Sequence, residues 1–271
     1  MFKKILYTAL FIITFSASAA VNVAVGTAPE KYIVEKIGGD LVNVYCIMPE
    51  GKNPHDFSVT PGMIKKAAQC QVFFHTRLLF EEQIAKMLSQ SGTRVWDLSL
   101  NVAKIVERNN QHDEHVWFSY NSLYRMAIEA EKVLSEIDGA NARYYFQNRV
   151  NFCNQITYDR SAARRKLNTL PYRMFITHHA AFGYFAVEFN LHQHAFEFNG
   201  REITPKNLAN LSRLAKKHRI KKIFIQSTAP ENVRRAIQNA TGASLVIINP
   251  SDYDVLDNMN KFAAELEASF E

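Results

Sequence analysis

GANARYYFQNRVNFCNQITYDRSAARRKLNTL, residues 139–170, is the stretch whose reading decides the architecture. After Gly139 it contains neither glycine nor proline, and Pro171 closes it. Tyr145, Phe152, Ile156, Ala163, Leu167 and Leu170 recur at steps of three, four and seven, with Arg149, Arg160, Arg164 and Arg165 at intervening positions. That spacing is the apolar stripe of a helix with a solvated face. At 1.5 Å per residue such a helix reaches about 45 Å, roughly the span of two small domains side by side. A bundle or coiled coil would also use a long helix, but the sequence on each side alternates strands with helices, which a bundle lacks.

Outward toward the N-terminus, short β-type runs at 22–26, 42–48, 71–75 and 94–98 alternate with helical patterns at 29–37, 62–70, 78–90 and 119–137, and a polar loop covers 49–61. Toward the C-terminus the same grammar resumes, with strands at 173–177, 193–198, 221–226 and 244–248 and helices at 180–189, 204–217, 230–240 and 252–270. Thr204-Pro205 has the residue types of a cap followed by a first helical position. Strand-helix alternation predicts parallel sheets covered on both faces. The expected fold is α/β with two lobes, each a parallel sheet flanked by helices, bridged by one long helix. Its divisions are an N-terminal lobe over 20–138, the bridging helix over 139–171 and a C-terminal lobe over 172–271.

Residues 1–19 fall outside that scheme. Lys3 and Lys4 precede an apolar run over 5–15, then Ser16, Ala17, Ser18 and Ala19. This is the pattern of a secretory signal peptide cleaved after Ala19, with a run too short for a permanent membrane span. No cysteine stands at the cleavage region, so the expectation is a soluble periplasmic protein without a lipid anchor. Losing Lys3 and Lys4 takes the formal charge from +6 to +4, with no basic block of the kind that binds nucleic acid. Cys46, Cys70 and Cys153 form no CxxC pair and no disulfide framework. They read as buried thiols, with a Cys46–Cys70 bridge as the alternative.

The chain carries nine histidines. Ligands of parallel sheets collect beyond the carboxyl ends of the strands, and three histidines fall there: His55 in the loop after the second strand, His115 after the fourth, and His179 directly after the strand at 173–177. Two come from the first lobe and one from the second, so three imidazoles can meet across a cleft. Neutral imidazole of borderline softness suits zinc. His112 is a further candidate for collecting metal, while His75, His178, His192, His194 and His218 read as structural or surface residues.

At these same residues the chain resembles a known family. Residues 53–61, NPHDFSVTP, look like the proline-histidine loop of the metal-binding solute-binding proteins that feed ABC importers of zinc and manganese. Residues 113–117, DEHVW, are similar to that family's Asp-Pro-His-x-Trp turn, with Glu114 where proline is usual. HAAFGYF at 179–185 resembles its His-Asp-Ala-Phe-x-Tyr-Phe segment, with Ala180 replacing the aspartate. The resemblance runs over essentially the whole mature chain. It implies that His55, His115 and His179 are metal ligands and that the partner is an ABC transporter membrane permease with its cytoplasmic ATPase, the protein itself acting as a monomer.

Manganese and iron members carry a glutamate and an aspartate where this chain has Gln226 and Asn249. Loss of both carboxylates shifts the expected cargo to Zn2+, ahead of Mn2+ or Fe2+. The fourth position is then open to water, Gln226, Asn249, or one of Asp56, Asp113, Asp252 and Asp254. Two other readings start from the same residues: a secreted zinc hydrolase, which lacks HExxH and an evident general base, and a surface adhesin.

Overall fold

The computed structural model describes residues 20–50, 52, 54, 57–105, 112–197 and 203–270. Its first sheet is built from β1 (Val21–Val25), β2 (Val42–Cys46), β3 (Val72–His75) and β4 (Arg94–Asp97), all parallel and ordered β2-β1-β3-β4. α1 (Ala28–Gly38), α2 (Pro61–Ala67) and α3 (Leu79–Gln90) connect these strands, and α4 (Tyr120–Ile137) follows. The second sheet uses β5 (Met174–His179), β6 (His192–Glu197), β7 (Lys222–Ile225) and β8 (Ser244–Ile247), again parallel and ordered β6-β5-β7-β8. α6 (Gly183–Glu188), α7 (Pro205–Lys217), α8 (Glu231–Thr241) and α9 (Val255–Glu267) accompany it. The two halves thus repeat one strand order with no visible repeat in sequence.

Between the sheets runs α5 (Ala142–Leu167), 26 residues and therefore about 39 Å long. Its buried residues Tyr145, Phe152, Ile156, Ala163 and Leu167 are the stripe read from the sequence. Asp138, just before the helix, accepts from Tyr145 Oη and Asn141 Nδ2, both at 2.8 Å. The arginines differ from their expected solvated role. Arg149 faces Glu131 of α4 at 3.4 Å and Arg160 pairs with Glu188 of α6 at 2.5 Å, so both join α5 to its neighbours. The helix expected over 180–189 is shorter, because β5 continues through His178 and His179 before the chain turns.

One apolar core crosses from sheet to sheet. It includes Val23 and Phe74 of the first, Phe152 and Ile156 of α5, Phe175 and Phe224 of the second, and Phe262 of α9. At the junction Phe118 meets Phe182 edge-on, with centroids 5.0 Å apart, and Phe182 stacks on Phe262 at 4.6 Å. A second cluster, with Met174, Ile176, Ile223 and Ile225, fills the other face of the second sheet beneath α7 and α8. The cysteines are free thiols, Cys153 buried and the other two half-buried, so no Cys46–Cys70 bridge forms.

In a sheet ordered 2-1-3-4 the crevice opens between the first and third strands, where successive connections leave in opposite directions. In the first sheet this place is plugged. Glu30 Oε2 accepts from the backbone N–H groups of Gly26 (2.7 Å) and Thr27 (3.0 Å), and Glu30 Oε1 from Thr76 Oγ1 (2.7 Å). Glu81 Oε2 accepts from the N–H groups of Thr76 (2.9 Å) and Leu78 (3.0 Å). Both carboxyls are fully buried. Gly26 has no side chain because a Cβ there would overlap the Glu81 carboxyl. Burial, and next the charge of Glu30, hold Glu81 well above the usual carboxyl range, and burial raises Glu30 as well, so the pair keeps a proton between its two carboxyls.

The unfolded chain releases the Glu81 proton near pH 4.3, at about the ordinary glutamate value, and the folded chain retains it. Stability therefore falls with rising pH from that point up to the raised folded value, by at most about 1.4 kcal/mol per pH unit from this group. Glu81→Gln, which copies the protonated acid, is expected to remove that slope and to be more stable than wild type by about 1–3 kcal/mol at pH 8, with little difference at pH 4. Thermal denaturation from pH 4 to 9 reads both effects.

Candidate metal centre

The second sheet leaves its crevice open. His179 is the last residue of β5, and Gln226 directly follows β7. Opposite them stands His115, in the turn that leads into α4. Asp113 builds this turn: its Oδ1 accepts from the backbone N–H of His115 at 2.9 Å and stands 3.1 Å from His115 Nδ1. Trp117, fully buried, donates from Nε1 to the Pro250 carbonyl at 2.8 Å and so pins the turn to the far half of the molecule.

These constraints bring His115 and His179 together. Their Nε2 atoms are 3.3 Å apart and their ring centroids 5.1 Å, with the planes at 76°. Each residue is nearly closed to solvent, His115 at 5% exposure and His179 at 6%. Behind His179, Glu197 Oε1 lies 3.3 Å from Nδ1. The rings line a narrow cleft of about 20 Å3 shared with Lys52, Pro54, Gln226, Thr228, Asn249 and Ser251. A space of that size takes one ion or one water.

His55 lies outside the described residues, although Lys52 and Pro54 of its loop reach the cleft. Among the described residues no group of three or more His, Cys, Asp or Glu side chains is placed to hold a metal ion. Several expected fourth ligands are already engaged. The Asn249 side chain donates to Asp252 and accepts from the Ser251 N–H at 3.2 Å, Asp254 caps α9 by accepting from the Asp257 N–H at 3.1 Å, and Asp113 holds His115. Asp56 is outside the described residues. His112 lines a separate cavity of about 290 Å3 with Arg77, Glu82 and Glu114. Sequence reading missed Glu197 and gave His178 a structural role. The signal was strand register, since β5 and β6 pair His179 with Glu197.

Two parallel sheets joined by a stiff helix, with a narrow polar cleft where their carboxyl edges face each other, define a binding protein that holds a small solute between two halves. The family model for ZnuA, the periplasmic zinc-uptake complex component A, matches residues 23–267, and the chain belongs to that family. The fold is similar to the crystal structure of ZnuA, with a TM-score of 0.87 and 26% identity over 93% of this chain and 100% of that one. The metal ABC transporter substrate-binding lipoprotein ScbA of Streptococcus cristatus is 23% identical over 244 residues, 84% of this chain and 79% of ScbA. The manganese ABC transporter substrate-binding lipoprotein scaA of Streptococcus gordonii is likewise 23% identical over 244 residues, with the same coverage. Members are solute-binding proteins of metal ABC importers, working with a permease and its ATPase, and are not enzymes. Among the described residues no helix is long and apolar enough to cross a membrane.

The Trp117 tie tests how the cleft is held. Trp117→Phe keeps an aromatic ring but leaves the Pro250 carbonyl without its donor, and is expected to cost about 1–2 kcal/mol. Urea unfolding with an unchanged slope, compared with wild type, measures it.

Proposed function

We propose that this protein captures Zn2+ through His55, His115 and His179 and passes it to the permease of an ABC importer. On this reading it does so in the periplasm, as a monomer released from its signal peptide after Ala19 and carrying no lipid anchor. The observation that carries the proposal is the 3.3 Å separation of the two Nε2 atoms. Two nitrogens bound at 2.0–2.1 Å to one tetrahedral zinc stand about 3.3 to 3.4 Å apart. With Asp113 at Nδ1 of His115, the Nε2 of that ring faces the cleft as a lone pair. A lone pair on His179 Nε2 would be repelled at this distance unless a cation lay between, whereas an N–H there would donate to His115.

The lining supports zinc over manganese. Gln226 and Asn249 bring no charge, and Asn249 is bound to Asp252 and Ser251. The cleft therefore offers neutral nitrogen of borderline softness where hard cations favour carboxylate oxygen. Gln226 or water completes the coordination. The halves act as lobes over 20–138 and 172–271 with residues 139–171 between them. A core continuous across the junction favours loading by a small tilt or local loop rearrangement over a wide hinge.

Calorimetric titration at neutral pH is expected to give one Zn2+ per chain, and binding should weaken on acidification because each ligand imidazole must be unprotonated. The His55→Ala, His115→Ala, His179→Ala triple variant should bind none. No zinc binding by wild type, or undiminished binding by the triple variant, would end the proposal. Mn2+ displacing Zn2+ at equal concentration would keep the transport reading and change its cargo.

A further inference from the structure

We propose that Glu197 is the positioning residue for His179 and that His178 holds Glu197 in place, an inference that rests on the reading of His179 as a ligand. Parallel pairing of β5 with β6 puts His179 and Glu197 in register, so the carboxylate is delivered by the sheet itself. Successive residues of a strand ordinarily point to opposite faces. Here two successive rings reach one carboxylate, an oxygen for each: Glu197 Oε1 is 3.3 Å from His179 Nδ1, and Oε2 is 3.4 Å from His178 Nε2. The Nδ1 of His178 is buried and has no hydrogen-bond partner among the described residues. Nε2 is thus the ring nitrogen of His178 that stands beside a carboxylate oxygen, that of Glu197.

The consequence lies in the tautomer of His179. A neutral imidazole carries one N–H and one lone pair. A carboxylate at Nδ1 draws the hydrogen there and leaves the lone pair on Nε2, the atom that faces His115 Nε2. A free histidine side chain in water favours the opposite tautomer, which would aim an N–H into the cleft and block coordination. Asp113 fills the corresponding place behind His115. Two carboxylates thus stand one ring behind a neutral ligand pair, and supply from the second layer the negative charge that Gln226 and Asn249 do not supply in the first.

The test uses the full mature chain. Two-bond 1H–15N correlation spectra of the metal-free protein report the His179 tautomer, and competition against a chromophoric chelator gives the Zn2+ affinity. Wild type is expected to show the Nδ1–H form. Glu197→Ala should shift His179 toward Nε2–H and lower Zn2+ affinity by about 10- to 100-fold. Glu197→Gln, which retains an acceptor oxygen, should fall between them, and it carries the test if the alanine variant does not fold. His178→Ala should move both readouts in the same direction by a smaller amount.

An unchanged His179 tautomer in the Glu197 variants overturns the proposal, as does a changed tautomer with undiminished zinc binding. No response in His178→Ala removes His178 from it. A wild type that binds no Zn2+, yet has a His179 tautomer dependent on Glu197, would instead remove the metal reading and leave the coupling between the two side chains intact.

Discussion

The aromatic contact between halves is the constraint on which the cleft depends. Phe118, from the segment entering α4, packs against Phe182, Phe185 and Phe262, with centroid separations of 5.0, 6.1 and 5.9 Å. Around this apolar centre lie polar ties: Trp117 to Pro250, Tyr120 to Asn260 at 2.8 Å, Ser119 to Glu188 at 2.8 Å and Tyr253 to Glu35 at 2.6 Å. Interiors packed in this way deform in discrete steps and resist continuous bending. His115 and His179 are therefore set at their separation by the frame, before any ligand arrives.

The two sheets use one topology for different ends. Each opens a crevice at the same switch point, but the first fills it with Glu30 and Glu81, whose oxygens take up N–H groups at the ends of β1 and β3. A shared proton makes this plug tolerable, because two buried carboxylates would otherwise face each other ionised. In the second sheet the corresponding ends carry His179 and Gln226, and the crevice stays open to solute. The plugged sheet contributes to the cleft from a distance, through the loop holding Lys52 and Pro54 and through the turn at His115.

Much of this was legible in the residues. The period of the α5 stripe and the strand-helix alternation fixed the class because both are local patterns, and His115 and His179 could be found by their places after predicted strands. Glu197 could not, since its role depends on which residue of β6 lies beside His179, a question of register between segments with no local signal. Asn249 and Asp252 looked like open ligands until their bond to each other was visible. Arg149 and Arg160 looked solvated because helix periodicity assigns a face to a residue but cannot say whether an acidic neighbour waits on it.

A frame this stiff moves the problem of release into the ligand layer. On the proposed reading, the ion is held by neutral rings from separate segments, and no pair of cysteine thiolates closes around it as in permanent structural zinc sites. The ring of His179 is held by strand pairing and that of His115 by a turn pinned at Trp117, so neither withdraws without disturbing the core. Lys52 and Pro54, between β2 and α2, line the cleft from outside both sheets. Loss of the ion on this reading proceeds without separating the halves, because the core that spans them is continuous.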